Sequence, residues 1–191
     1  LNRNPTTFLD VSLGKLRPLR IQVLGEVSQP GGYIVHPSAT VFSSLYYFNG
    51  PTELGSLRDI KLIRGGKEIT SIDFYDYLLT GKRPKDAPLQ IDDVVFISSR
   101  LKTVTIEGDI NRPGIYELKP NEDLLALLDI SGNLKITAYL NRASIERIIP
   151  FDLRSNTNAD RTRKDIDLGS ILKSREKYEL ADGDHIKIFS I

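Results

Sequence analysis

Acid–base chemistry has few places to reside in this chain. Of its 191 residues none is Cys, and His36 and His185 are the two histidines. A thiol nucleophile, a disulfide and a thiolate metal site are therefore excluded. His36 precedes Pro37 at the end of an apolar run, and His185 follows a turn far along the chain. Neither has a nucleophile and an orienting group at a recognisable spacing, so both read as surface or edge residues. Asp73 and Asp76 form a carboxylate pair of the kind a glycoside hydrolase uses. Their i, i+3 spacing within one short amphipathic helix makes a solvated face the ordinary reading. No GxGxxG, GxxxxGK[ST] or GxSxG motif is present. We assign no catalytic residue, no cofactor and no metal ligand, and expect a protein that is not an enzyme.

Two further stretches invite a chemical reading. "ADGDH" (181–185) places Asp182 and Asp184 around a Gly, as a calcium loop would. Such a loop also needs alternating oxygen donors over about twelve residues and a terminal Glu, so a tight turn entering a strand explains it better. "IRGGK" (63–67) sets a Gly-Gly pair between cations and reads as a hairpin turn rather than an anion contact.

Binding residues are easier to nominate. "FDLRSNTNADRTRKD" (151–165) is polar and carries Arg154, Arg161, Arg163 and Lys164, cations that could meet an acidic glycan or an acidic partner. Asp152, Asp160 and Asp165 balance most of that charge, and the composition predicts an exposed loop. Sugar faces stack on aromatic rings, and Tyr46, Tyr47, Phe48, Tyr75 and Tyr77 gather in one part of the chain. Most of these read as packing residues; Tyr46 and Tyr47 are the ligand candidates.

The elements that must position these residues occur twice. "GEVSQPGGYIV" (25–35) and "GDINRPGIYEL" (108–118) share Gly, Pro, Gly and Tyr in order. At a shift of 83, Gly25 meets Gly108, Pro30 Pro113, Gly31 Gly114, Tyr33 Tyr116, Pro37 Pro120 and Arg64 Arg147. Gly50 meets Gly132 at 82, a one-residue slip, and "LQIDDVVFI" (89–97) meets "LADGDHIKI" (180–188) at 91. The second copy thus gains about eight residues after Arg147. So many coincidences establish a duplication.

Each copy reads as a hairpin, a helix, further strands, a short helix and a last strand. Gly25 marks a bulge or close approach in the first strand, and the Pro-Gly turn closes the hairpin. Val41, Leu45 and Phe48 share a helix face, with Ser38 as cap and Gly50 as stop. Ser71 and Gly81 bracket the short helix; Asn121 caps the helix that turns Leu124, Leu127 and Leu128 inward. "SIERIIPFDL" (144–153) is the third strand of the second copy. The fold class is α+β: two tandem β-grasp units, each a mixed sheet packed on a helix. Residues 1–19 form a connector or extra strand, 20–100 the first unit and 101–191 the second.

Composition narrows the function. Hydrophobic and charged fractions of 40% and 27% suit a folded domain. The net charge of +1 argues against a nucleic-acid binder that relies on a broad basic face. No run approaches 18 apolar residues, so no transmembrane span is expected in this segment, and no leader peptide is visible at its start. The absence of Met suggests a segment of a longer protein.

"VLGEVSQPGGY", "GSLRDIKLIRGGKEI" and "LQIDDVVFI", with "IEGDINRPGIYEL" and "LADGDHIKI", resemble the SLBB family, the soluble-ligand-binding β-grasp domains, in tandem. The resemblance covers about residues 20–191 and is nearest to the repeats of Wza-type polysaccharide export proteins. Asp92 stands where that family usually has Gly, which implies a turn of different backbone geometry, and Asn133 where a second Gly is common. The resemblance implies a periplasmic module of an outer-membrane capsule or exopolysaccharide exporter. Its implied partners are polysaccharide and further subunits of a homo-oligomeric export complex, with a ring or a translocation path as its setting. A glycan- or small-ligand-binding module without a channel role is the alternative.

Overall fold

The computed structural model describes residues 9–12, 14, 16–81, 86–154 and 159–191. Its strands form two five-stranded sheets of identical connectivity. In the first, β1 (Leu19–Gly25) pairs antiparallel with β2 (Gly31–Val35) and parallel with β5 (Val94–Ser99). β5 pairs antiparallel with β3 (Gly55–Arg64), which pairs with β4 (Lys67–Ile72). The second sheet repeats this order with β6 (Lys102–Gly108), β7 (Gly114–Leu118), β8 (Ala138–Ile148), β9 (Arg161–Ile166) and β10 (His185–Ser190). The β-grasp expectation is thus met: two mixed sheets with helices between their strands.

Alternation along the strands builds each core. Ile21, Val23, Ile60, Leu62, Val95 and Ile97 are fully buried and join Val41, Leu45 and Phe48 from the helical segment α1 (Val41–Ser44) and the 3₁₀ turn after it. In the second unit Val104, Ile106, Ile186 and Ile188 pack with Leu124, Leu127 and Leu128 of α3 (Leu124–Ile130). Helix α2 (Phe74–Thr80) follows β4, and α5 (Leu168–Ser174) follows β9. Among the described residues no helix is long and apolar enough to cross a membrane.

Shared residues prove to be internal fasteners. Gly25 and Gly108 both have φ of 90°, and a Cβ on either would sit 2.0 Å from the carbonyl oxygen of Ile97 or Ile188. Tyr33 and Tyr116 donate their hydroxyls to the carbonyls of Gln29 and Arg112, closing the two Pro-Gly loops. Arg64 and Arg147 make two-pronged ion pairs with the buried Asp93 and Asp184. Those carboxylates also accept the amides of Gln90 and Ala181. Asp184 is thereby engaged, Asp182 accepts from Thr103 N, and "ADGDH" is the tight turn expected. Gly65 and Gly66, at φ of 56° and 75°, make the hairpin turn read from "IRGGK".

Several local expectations need correction. The caps are Thr40, Asp73 and Asp123, whose side chains accept from Ser43 N, Tyr75 N and Ala126 N, not Ser38, Ser71 and Asn121. Ser38 bonds the His36 ring and Ser71 lies in β4. The slip at Gly50 does not exist. Asn49–Gly50 and Gly132–Asn133 are equivalent left-handed pairs at a constant 83, and Gly50 N and Asn133 N reach the equivalent carbonyls of Leu45 and Leu128. Asp92 does not change its turn: its φ is 64°, against 78° at the matching Gly183, a conformation Asp tolerates.

The third strand of the second unit ends at Ile148, and Phe151–Arg154 is a helical turn, α4. The polar insert is not a loop throughout, because its end is β9, the counterpart of β4. The caps Asp73 and Asp167 lie 94 apart, against 83 for Arg64 and Arg147 and 91 for Asp93 and Asp184. The second unit therefore gains eleven residues between β8 and β9 and loses three before β10, which gives the net eight read from the sequence. Residues 9–12, 14 and 16–18 carry no strand. The rest of the predicted connector or extra strand, residues 1–8, 13 and 15, and residues 155–158 of the insert lie outside the described residues.

Replacing Gly108 by Ala must displace the β6–β10 pairing. Urea unfolding is expected to show a loss of about 2 kcal/mol or more; an unchanged midpoint would contradict the close approach.

Candidate functional site

The two units meet through charge. Arg58, near the start of β3, is 7% exposed and reaches across to the second unit. Its guanidinium donates to Asp73 (Nη2, 3.0 Å), to Glu122 (Nη2, 2.9 Å) and to the carbonyl of Glu117 (Nη1, 3.1 Å). Its Cζ lies 4.7 Å from the centre of the Tyr75 ring. Lys119 Nζ is 2.6 Å from Asp73. The buried Glu117 carboxylate accepts from Ser56 Oγ (2.6 Å), Leu57 N (3.0 Å) and Leu101 N (3.0 Å). Its own amide donates to the Tyr75 hydroxyl, and the Tyr75 ring packs against the core of the second unit.

These elements meet for local reasons. Asp73 is held in place by capping α2: Oδ1 accepts from Tyr75 N and Arg58 Nε, and Oδ2 faces Arg58 Nη2 and Lys119 Nζ. Burial works against the charged Asp73, but hydrogen bonds from Arg58 and Lys119 outweigh it and hold the carboxyl below its ordinary value. Burial likewise opposes the Arg58 charge, and Glu122 and Asp73 more than restore it. Burial pushes the Tyr75 hydroxyl up. Asp73 is thus not free to act with Asp76 as an acid–base pair.

Three hollows border this junction and share Leu57. One, of about 320 Å³, is lined by Tyr46, Asn49, Gly50 and Phe74. The second, about 210 Å³, lies against Thr52, Arg100 and Ile115, and the third, about 260 Å³, against Leu78, Arg112 and Tyr116. Each combines apolar side chains with a few polar groups at its rim.

The residues nominated from the sequence are not brought together. Tyr46 is 75% exposed at the mouth of the first hollow. Tyr47 faces the end of β2, where its hydroxyl accepts from His36 N. Arg154 lies on α4, donating to the Ile149 carbonyl (2.7 Å) over the Phe151 ring. Arg161 and Arg163 stand on the open face of the second sheet at 2.7 and 3.8 Å from Glu146. The Arg161 hydrogen bond holds that carboxyl below its usual range. Lys164 lies 5.7 Å from the centre of the Tyr178 ring. His185 stands on the same open face, Nε2 3.3 Å from Glu107 but outside hydrogen-bond geometry. Among the described residues no cluster of three His, Asp or Glu could hold a metal.

The nominations omitted Arg58, Glu117, Lys119 and Glu122. A signal for them did exist. At the 83-residue shift these four face Asn141, Ile34, His36 and Ala39, so both copies keep their shape there while the charge occurs in one.

Comparison with known proteins follows the same division. The SLBB domain model matches two segments, residues 20–73 and 103–159, together more than half of the chain. Two Escherichia coli proteins named polysialic acid transport protein KpsD are 30% identical over 109 residues. That match covers 56% of this chain and 19% of each relative, so it spans about a fifth of their length.

Arg58→Ala leaves Asp73 and Glu122 without their shared partner, and a loss of about 3 kcal/mol is expected. Scanning calorimetry should then resolve two transitions where the native protein gives one; a single transition at the native temperature would contradict the junction. Asp73 also predicts an acid effect. Its folded value is depressed, so its contribution is present above the ordinary aspartate value of about 3.9 and is lost as pH falls through the lower folded value. Asp73→Asn should flatten the stability profile over that acid range in a pH series of denaturation midpoints.

Proposed function

The chain belongs to the SLBB family, and from that premise we propose that it is a periplasmic module of an outer-membrane polysaccharide export protein. In this reading the units at 20–100 and 101–191 position neighbouring parts of a ring or translocation path. They carry out no reaction on the polymer. The observation that carries the proposal is the Arg58 junction, where a buried guanidinium held by Asp73 of its own repeat fixes the other through a two-pronged pair with Glu122 and a bond to the Glu117 carbonyl. Such an arrangement suits a spacer whose output is geometry. The likeness to a polysialic acid transport protein supports polysaccharide as the cargo. The module would reach the outer membrane through other parts of the assembly.

A glycan-binding role is the second reading, and the hollow beside Tyr46 favours it. An exposed Tyr ring beside Asn49 and Gly50 offers a stacking face with polar neighbours. Arg161, Arg163 and Lys164 on β9, with Arg154 nearby in sequence, would serve an acidic polymer, and Tyr47 a separate contact.

Titration of the isotope-labelled protein with oligosaccharides of the exported polymer separates the two. The spacer reading expects no saturable amide shifts at millimolar sugar. Saturable shifts confined to Tyr46–Gly50 or to the β9 cations would replace it with direct recognition.

A further inference from the structure

A duplicated unit carries every surface twice. The internal junction uses the face of the first unit around Ser56, Leu57, Arg58 and Tyr75, and the β7 face of the second around Glu117, Lys119 and Glu122. Each face has an unused counterpart. In the second unit it is Tyr139, Leu140 and Asn141 at the start of β8, with Gly169 matching Tyr75. In the first it is Ile34 and His36 at the end of β2, with Ala39 beyond.

Both counterparts expose apolar side chains beside Asn141 and His36, while Ala39 is buried beneath. Ile34 is 72% exposed, with Tyr47 beside it; Leu140 is 42% exposed and Ile136, beside that strand, fully so. Their chemistry has also changed in step. Asn141 stands for Arg58 on one face; Ile34 and Ala39 stand for Glu117 and Glu122 on the other. A change on one face alone would leave a charge to be buried without a partner, which costs several kcal/mol. Here the guanidinium and its Glu122 carboxylate acceptor are missing together, and so are the Glu117 carboxylate and the Ser56 hydroxyl that donates to it, which Ile34 and Tyr139 replace. His36 replaces Lys119, whose partner Asp73 has its counterpart in Asp167, a carboxylate that caps α5 through Ser170 N.

We propose that the Tyr139–Asn141 face of one chain docks on the Ile34–His36 face of a second copy. The contact repeats the internal junction between molecules, with apolar packing in place of the Arg58 ion pairs. It joins unlike faces, so copies add head to tail, and rotation per step decides whether they close. Its biological setting rests on the export-module reading, whereas the association is a property of this chain that sugar titration does not touch.

Sedimentation velocity over a concentration series into the millimolar range tests it. The native chain is expected to self-associate, and Ile34→Asp and Leu140→Asp each to weaken association by about tenfold or more. Both positions are exposed, and circular dichroism of each variant checks the fold. Each variant retains one good face, so an equimolar mixture should form a dimer and nothing larger. A native chain that stays monomeric, a single variant that associates like the native chain, or a mixture that stays monomeric overturns the proposal.

Discussion

One guanidinium governs how this molecule is put together. Arg58 leaves a strand of the first unit, passes over the Tyr75 ring and ends among acceptors from both units. Desolvating such a group is costly, and its planar fork recovers that cost when every N–H finds an oxygen at the right angle. A lysine would supply charge without direction. Close fit is therefore the condition for burying the charge at all, and the relative placement of α2, β3 and β7 follows from it. The Glu117 carboxylate reinforces the arrangement, because two of the three donors it satisfies are backbone amides, at Leu57 and Leu101, that a shift of the units would expose.

The duplication separates two kinds of residue. Those that recur at the same place hold each unit to itself: Gly25 and Gly108 admit a neighbouring carbonyl, and Arg64 and Arg147 anchor buried aspartates. Those that differ in charge between copies do what one unit needs and the other does not. Arg58 against Asn141 and Glu117 against Ile34 are such differences, and they fall at the junction. Comparing a chain with itself thus yields information usually sought from relatives.

Much of the fold was legible for that reason. The hairpins, the inward faces of the helices and the closing turns follow from glycine and proline placement and from apolar spacing. The caps were misjudged because Ser38, Thr40, Ser71, Asp73, Asn121 and Asp123 are all competent, and the entering backbone chooses among them. Strand β9 escaped notice because an edge strand with one buried residue, Ile166, needs no alternation and reads as polar loop. The junction escaped because its bonds join residues about sixty positions apart, which no local period can reveal. Of the nominated binding residues Tyr46 alone borders that junction; the cations were chosen by composition, which carries no information about place.

Strand β9 has one more consequence. It ends its sheet, and its outer backbone groups are available to any strand that approaches. Its sequence, Arg-Thr-Arg-Lys-Asp-Ile, crowds cations along that rim. A second β9 brought alongside would set like charges against one another, and an apolar strand would strip water from them. Lengthening of the ladder is therefore opposed on this side, even where many copies are held close together. Molecules crowded in one assembly can share faces without fusing their sheets, which keeps an ordered contact distinct from aggregation.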